Sequence, residues 1–284
     1  MTPGVYTVSL PSLFQLVRPA NLTITAVTVV VSAMLAGAGW DHIAAIGIAS
    51  FSCVFLAAAA YALNDLRDLD SDRINHPRRP LVTGVISGRT AVTAWLVGTV
   101  VSLLTASLLH TALLLFAGAG TIALVLYNMW LKRVVIVGNV VAAGVTSLAV
   151  CFGAAVTMDF EAAIMPALFA FLANLAREMI KDVEDAEGDK AAGAKTLAVL
   201  LGDGAALRWS VVPLAMLVTA TIEPFIAGRY GEYYLAIVLI ADAMLLYCMF
   251  AVFRAPSRES LRRLSRLVKL SMAIGILALF ASGW

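Results

Sequence analysis

The stretch "FSCVFLAAAAYALNDLRDLDSD", residues 51–72, carries no charge as far as Leu63 and then turns acidic within a few residues. A second apolar run, "IMPALFAFLANLA" at 164–176, is followed in the same way by "DVEDAEGD" at 182–189. In both stretches three carboxylates are spaced by three and then four residues. They are Asp65, Asp68 and Asp72 in the first stretch and Asp182, Asp185 and Asp189 in the second. The repeated pattern predicts that the two apolar segments are each followed by a polar segment with a related role.

The composition is that of a polytopic membrane protein. Hydrophobic residues make up 61% of the 284 residues and charged residues 13%, and the mean hydropathy is +0.92. A soluble domain of this size could not bury that much apolar surface. Nine apolar runs approach the ~20 residues that a helix needs to cross a bilayer, and their continuous Ala-rich and Leu-rich character predicts helices rather than barrel strands. The runs cover roughly residues 22–38, 43–63, 91–109, 111–127, 136–157, 162–180, 209–228, 233–253 and 268–284.

The fold expected from these runs is all-α, with nine transmembrane helices in one domain, residues 1–284. The chain is predicted to consist of two pseudo-equivalent halves, about 1–135 and 136–284, and each half contains one acidic segment. Of the 20 Lys and Arg residues, all but Arg229 fall in one set of connections between runs. By the positive-inside rule, the N-terminus and both acidic segments are predicted to be cytoplasmic, and Trp284 is predicted to lie outside.

The spacing of the carboxylates predicts a binding role. Residues i, i+3 and i+7 of a helix lie within an arc of roughly 60°, so each triplet forms one stripe of like charges that repel one another. A cation offsets that repulsion. Oxygen ligands alone suit Mg²⁺, which proteins usually hold with one or two carboxylates together with substrate phosphates.

Basic residues near both segments complete the pattern of a diphosphate clamp, in which metal bridges carboxylate and phosphate and Lys or Arg takes the remaining charge. A single acidic segment is more often a solvated loop at the end of a span, but two segments with identical spacing favour a site. Neither has the ligand pattern of an EF-hand, and the sequence contains no Walker loop or nucleophile elbow. The basic residues and a neighbouring Tyr are Arg73, Arg78, Arg79, Tyr127, Lys132, Arg133, Lys190 and Lys195.

The segment "NDLRDLDSDRINHPRRPLVTGVIS", residues 64–87, resembles the NDxxDxxxD motif of the UbiA superfamily of intramembrane prenyltransferases, and "DAEGDKAAGAKTL" at 185–197 resembles its DxxxD motif. The resemblance covers essentially the whole chain. It implies helices around a central chamber, whose mouth is covered by two polar cytoplasmic loops. It also implies an isoprenyl diphosphate, held through two Mg²⁺ ions, that ionises and alkylates a lipid-soluble acceptor.

Carried over by motif, the resemblance assigns roles to individual residues. The expected metal ligands are Asn64, Asp65, Asp68, Asp72, Asp182, Asp185 and Asp189. The expected catalytic residues are Asp68, Asp72, Asp185, Asp189 and Lys132. The expected substrate-binding residues are Asn21, Asn64, Arg73, Arg79, Tyr127, Lys132, Arg177, Lys181 and Lys190.

Within the superfamily, "REMIKDVEDAEGDKAAGAKTL" at 177–197 is most similar to the geranylgeranylglyceryl phosphate geranylgeranyltransferases of ether-lipid synthesis, and "RPAN" at 18–21 and "YNMWLKRVVIVGN" at 127–139 agree. An acceptor with its own phosphate would also suit Arg177 and Lys181.

Two alternatives stay open. One is an aromatic acceptor, such as 4-hydroxybenzoate, another quinone precursor or a chlorophyll-type ring. The other is a cation-coupled transporter, although transporter sites lie near the membrane midplane and these carboxylates lie at span ends. Membrane lipids are expected to surround the protein. Nothing in the sequence indicates a nucleic acid or an obligate protein partner.

Overall fold

The computed structural model describes residues 10–254 and 256–282, and every regular element within them is a helix. The α-helices are α1 (Leu10–Val17), α2 (Pro19–Leu35), α3 (Ile43–Arg67), α4 (Leu69–Asn75), α5 (Gly88–Ala106), α6 (Thr111–Met129), α7 (Val137–Ala154), α8 (Ile164–Glu184), α9 (Ala186–Ala191), α10 (Leu197–Leu201), α11 (Asp203–Ile226), α12 (Glu232–Val252) and α13 (Arg258–Ala281). Short 3₁₀ turns cover Trp40–His42 and Leu131–Arg133. The predicted all-α class is confirmed. The prediction for Trp284, and that for the first nine residues, lie outside the described residues.

Seven helices in the described part of the chain are long and apolar enough to cross a membrane, namely α3, α5, α6, α7, α11, α12 and α13. The protein is therefore an integral membrane protein. The other two predicted runs also form helices but fall short of a span by composition or length. Helix α2 has 17 residues, and the last two turns of α8 carry Arg177, Glu178 and Lys181. The polar side chains that shorten the apolar part of α8 belong to the candidate site.

Some helix ends lie well outside the apolar runs, because a hydropathy pattern registers only the apolar part of a helix. Helix α13 begins at Arg258, far before the predicted start at residue 268. The hydroxyl of Ser257 accepts a hydrogen bond from the backbone N–H of Ser260 at 3.3 Å, which satisfies one of the free donors of the first turn. The basic first half of α13 is thereby helical, and its Arg262 lies 3.1 Å from Glu184 at the end of α8.

Close helix packing depends on small residues. A Cβ atom on Gly98 would lie 3.0 Å from the carbonyl oxygen of Phe55, and one on Gly153 would lie 2.8 Å from the backbone nitrogen of Ala33. Glycine at these positions lets α5 approach α3 and α7 approach α2. The buried side chains form two main clusters, one among α2, α3, α6 and α7 and the other among α8, α10, α11, α12 and α13.

Candidate active site

The two acidic segments share one local structure: a long helix, a break at the middle carboxylate, and a short helix. Helix α3 ends before Asp68 (φ −93°, ψ 6°) and α4 follows it. Helix α8 ends before Asp185 (φ −97°, ψ 3°) and α9 follows it. Both residues lie in the sparsely populated bridge region of backbone space, where active-site residues are often found. The uninterrupted helical stripe expected from the spacing is therefore wrong, because each stripe bends at its central Asp.

The segments meet through the short helices, since α4 packs against α9. The hydroxyl of Ser71 donates to a carboxylate oxygen of Asp189 at 3.0 Å. The amide of Asn75 donates to the backbone carbonyl of Asp185 at 2.8 Å and accepts from the backbone N–H of Gly188 at 3.2 Å. Residues separated by more than a hundred positions in sequence are thus fixed side by side.

Basic side chains neutralise the carboxylates of the first acidic segment, residues 64–72. Arg79 lies 3.2 Å from Asp65 and also pairs with Asp72. Lys132, in the 3₁₀ turn after α6, places its ammonium 2.5 Å from the carboxylate of Asp68. Burial raises the pKa of Asp72 even though Arg79 opposes that shift. Burial also disfavours the charge of Lys132, but the neighbouring Asp68 outweighs it and raises the pKa of the ammonium.

In the second acidic segment, residues 182–189, Asp185 lies between two basic groups. The Lys181 ammonium is 3.2 Å away, and the His76 ring nitrogen Nε2 is at the same distance but is poorly aligned for a hydrogen bond. Although burial opposes ionisation, Lys181 and His76 together hold the pKa of Asp185 well below its ordinary value. The Asp189 carboxyl is affected in the opposite sense, since burial raises its pKa.

Near these charges opens a cavity of about 270 Å³, the main cavity. Its lining is partly polar, with Asn64, Asp68, Lys132 and Glu178 among the polar side chains, and partly apolar. The apolar wall is formed by Cys53, Leu56, Ala57, Ala60, Leu124, Ala149 and Phe152. A smaller second cavity of about 110 Å³ shares part of this lining and extends among α8, α11, α12 and α13.

The side-chain oxygens of Asn64 and Asp68 are ligand atoms that fit Mg²⁺. No three or more His, Cys, Asp or Glu side chains of residues 10–254 and 256–282 lie close enough together to hold one ion by themselves. Mg²⁺ does not need such a cage, because it usually takes one or two carboxylates and fills its other positions with water and substrate phosphate. The side-chain oxygen of Asn64 is buried without a hydrogen-bond partner and lines the cavity together with Asp68. An unsatisfied buried oxygen next to a carboxylate suits a hard cation.

The structure brings most of the predicted residues together but separates two from the rest. Arg73 lies 3.2 Å from Asp70, and both side chains are mostly exposed, on the outer face of α4. Lys190 is exposed on α9. Neither side chain lines the main cavity, because each is turned outward by its position on a short helix. The predicted residues that do line it are Asn21, Asn64, Asp68, Arg79, Tyr127, Lys132, Arg177 and Lys181.

The remaining five predicted residues, Asp65, Asp72, Asp182, Asp185 and Asp189, are not part of the main cavity's lining. Asp182 accepts a hydrogen bond from the amide of Asn139 at 2.9 Å. Asp65 and Asp72 are almost completely buried, with 2% and 4% of their surfaces exposed. Asp185 and Asp189 make the contacts described above, which link the two short helices.

Sequence reasoning missed five residues of the site: Arg18, Tyr61, His76, Glu178 and Lys269. His76 follows Asp72 by one helical turn, and that spacing was the available signal. Lys269 lies at the start of the predicted apolar run 268–284, and an ionisable residue within a span is a functional candidate. Its ammonium donates to the side-chain oxygen of Asn21 in α2, a contact between distant parts of the chain that no local pattern reveals.

Comparisons with known proteins identify the family of this chain. Residues 25–273 match the model of the UbiA prenyltransferase family. The chain is similar to a protein of Methanopyrus kandleri named digeranylgeranylglyceryl phosphate synthase, with 35% identity over 94% of this chain and 97% of the relative.

Two solved structures share the fold. One comes from a study of digeranylgeranylglyceryl phosphate synthase in membranes, with a TM-score of 0.75, 24% identity and coverage of 96% of this chain and 98% of that one. The other is a UbiA homologue from Archaeoglobus fulgidus bound to DMAPP and Mg²⁺, with a TM-score of 0.67, 22% identity and coverage of 94% and 99%.

Proposed function

Since this chain belongs to the UbiA prenyltransferase family, we propose that it transfers a geranylgeranyl group from its diphosphate to geranylgeranylglyceryl phosphate in ether-lipid synthesis. One observation carries the proposal: two acidic segments are held together beside a cavity that is lined by both charged and apolar side chains. A diphosphate needs the charged side chains and a prenyl chain needs the apolar walls.

Asn64 and the motif carboxylates, with Asp68 in the cavity lining, are proposed to hold two Mg²⁺ ions. When bound, Mg²⁺ neutralises the diphosphate and makes it a better leaving group. Lys132 and Arg79 donate to diphosphate oxygens and stabilise the charge that grows as the bond between prenyl carbon and oxygen breaks. The ligand set and these roles rest on motif match and on the positions of the side chains.

The apolar walls determine the fate of the allylic cation. Leu56 and Phe152 help to exclude water that would otherwise hydrolyse it. The cation is captured by the acceptor hydroxyl, so that a carbon–oxygen ether bond forms and the hydroxyl proton is released. Glu178 lines the same cavity and belongs to neither motif, and we assign it the role of proton acceptor.

The two neighbouring cavities, which share lining residues, suit a reaction in which both substrates carry a hydrocarbon chain. Ile24, Thr146 and Met272 border both cavities. A donor chain in one cavity and an acceptor chain in the other would bring their polar ends together beside the acidic segments. An aromatic acceptor would leave the second cavity without an occupant.

The proposal includes an orientation. Helices α2 and α8 join the seven apolar helices to give nine spans, and α4, α9 and α10 cover the cytoplasmic mouth of the chamber. The N-terminus is cytoplasmic, the C-terminus lies outside, and the halves 1–135 and 136–284 each contribute one acidic segment. The distribution of Lys and Arg supports this orientation.

The decisive experiment offers purified protein geranylgeranyl diphosphate, Mg²⁺ and two competing acceptors, geranylgeranylglyceryl phosphate and 4-hydroxybenzoate. Mass spectrometry of the products should detect digeranylgeranylglyceryl phosphate, and an Asp68→Asn variant should form far less of it. Prenylated 4-hydroxybenzoate as the only product would refute the proposed acceptor but not the chemistry. No prenylated product with either acceptor would refute the proposed reaction.

A further inference from the structure

A second basic group, outside the two acidic segments in sequence, also faces the main cavity. It consists of Arg18, Arg177 and Lys269, which come from the junction of α1 and α2, from α8 and from α13. The three cations lie far apart in the sequence, at positions 18, 177 and 269. They converge on one space because the helices that carry them pack around it.

The charges of the basic group are only partly balanced. Arg18 pairs with Asp65, and Arg177 lies 2.8 Å from its neighbour Glu178. Within the described residues, Lys269 forms no ion pair, and its ammonium has only the neutral oxygen of Asn21 as a partner. Arg177 and Arg18 are near enough to repel it. An ammonium in this position is costly without an anion, so the arrangement favours an anionic ligand.

Arg18 is held rigidly at the edge of the basic group. Its backbone is left-handed (φ 56°, ψ 68°), a conformation that few residues other than glycine adopt. Its guanidinium lies 4.9 Å from the centre of the Tyr61 ring and also pairs with Asp65. These contacts fix the start of α2, and therefore fix Asn21 one turn later beside Lys269.

The donor diphosphate does not account for the basic group. Besides Arg18, the cations that pair with motif carboxylates are Arg79, Lys132 and Lys181, whereas Arg177 and Lys269 pair with none of them. A phosphorylated glycerol acceptor brings a second anion. Its reacting hydroxyl and its phosphate sit on the same short glycerol backbone, so that phosphate must lie beside the diphosphate without sharing its cations.

We propose that Lys269, Arg177 and Asn21 form the binding site for the phosphate of the acceptor, adjacent to the diphosphate site. The inference rests on the proposed function and makes the basic group the element that selects a phosphorylated acceptor. Met272 follows Lys269 by three residues on the same face of α13 and borders both cavities. An acceptor phosphate on Lys269 would therefore direct its hydrocarbon chain past Met272 into the second cavity.

The test compares Lys269→Met with the wild type on two acceptors, geranylgeranylglyceryl phosphate and the same lipid without its phosphate. Loss of one charge-assisted contact should raise the KM for the phosphorylated acceptor at least ~10-fold. The KM for the unphosphorylated acceptor and the KM for the donor should stay within about twofold, because neither ligand would contact Lys269. Lys269→Arg should restore most of the selectivity, and Arg266→Met, an exposed cation on the same helix, should behave as the wild type.

A second variant guards against misfolding of the first. Asn21→Asp keeps the shape of the side chain but gives Lys269 a carboxylate partner, so it should raise the KM for the phosphorylated acceptor in the same way. A rise in the donor KM, or an equal loss with both acceptors, would overturn the inference while leaving the proposed function intact. A wild-type protein that alkylates neither glyceryl acceptor would overturn the proposed function itself, and the inference with it.

Discussion

Replacing Gly188 by Ala is expected to separate the two acidic segments. A Cβ atom at this position would lie 2.7 Å from the backbone carbonyl oxygen of Ser71 and from the side-chain carbon Cγ of Asn75. Ordinary van der Waals contact begins at 3.4 Å, so the two surfaces are short of room by about 0.7 Å. The Asn75 side chain could rotate, but the carbonyl of Ser71 belongs to the backbone of α4. Helix α9 must therefore move away from α4.

The displacement acts on the site through contacts already described. Asp189 would lose its hydrogen bond from Ser71, and Asp185 would shift with the start of α9. Misplacement of catalytic groups by ~1 Å costs about 100-fold in rate, so we expect kcat for prenyl transfer to fall by about 10- to 100-fold. The overpacking itself should cost about 1–3 kcal/mol of stability, partly offset because Ala favours a helix over Gly by about 1 kcal/mol.

Turnover of Gly188→Ala is measured beside that of a matched control, Gly118→Ala. Gly118 also lies inside a helix, but a Cβ atom there would meet nothing within 4 Å, so its kcat should stay near the wild-type value. A thermal melt of each purified variant separates misfolding from misplacement. A folded Gly188→Ala protein with kcat within threefold of the wild type would show that the contact between α4 and α9 does not set the geometry of the site.

Three further predictions concern charge, metal and orientation. Asp68→Asn should lower turnover at least ~100-fold, which is the scale of losing one preorganised electrostatic contact. Asp70→Asn, on the exposed face of α4, should keep turnover within several-fold of the wild type. Equal losses in the two variants would contradict the assignment of faces. A chelator should abolish turnover, and Mg²⁺ or Mn²⁺ should restore it, so that full activity in excess chelator would rule out a metal-bound diphosphate. In a background without the three native cysteines, Ala192→Cys should react with a membrane-impermeant maleimide only from the cytoplasmic side and Asp41→Cys only from the other, and labelling of both from one side would refute the orientation.

Some features of the site could be predicted because they depend only on residues close together in the sequence. The spacing of Asp65, Asp68 and Asp72 indicated that these residues act together. In a helix Asp70, five residues after Asp65, is rotated from it by about 140°. The structure puts Asp70 on the exposed face of α4 with Arg73. The apolar runs likewise located the helices, since a bilayer selects for length and hydropathy.

Other features depend on contacts that no single segment encodes. The breaks at Asp68 and Asp185 follow from the way each short helix turns to meet the other, and Ala, Glu or Leu at the neighbouring positions does not predict a break. Lys269 reaches the cavity only because α13 packs against α8 and α2. His76 was passed over because its partner, Asp185, lies in the other half of the chain.

The ion pair between Lys132 and Asp68 has a consequence for the order of binding. These two groups lie 2.5 Å apart and act as each other's counter-ion. A metal ion that binds Asp68 would therefore release the Lys132 ammonium, and a diphosphate that binds Lys132 would release the Asp68 carboxylate. Each ligand therefore releases the group that the other needs, and the two affinities must rise together by the same factor. We expect weak binding of Mg²⁺ alone and of donor alone in titration calorimetry, and much tighter binding of either once the other is present. Equal Mg²⁺ affinity with and without donor would show that the pair does not couple them.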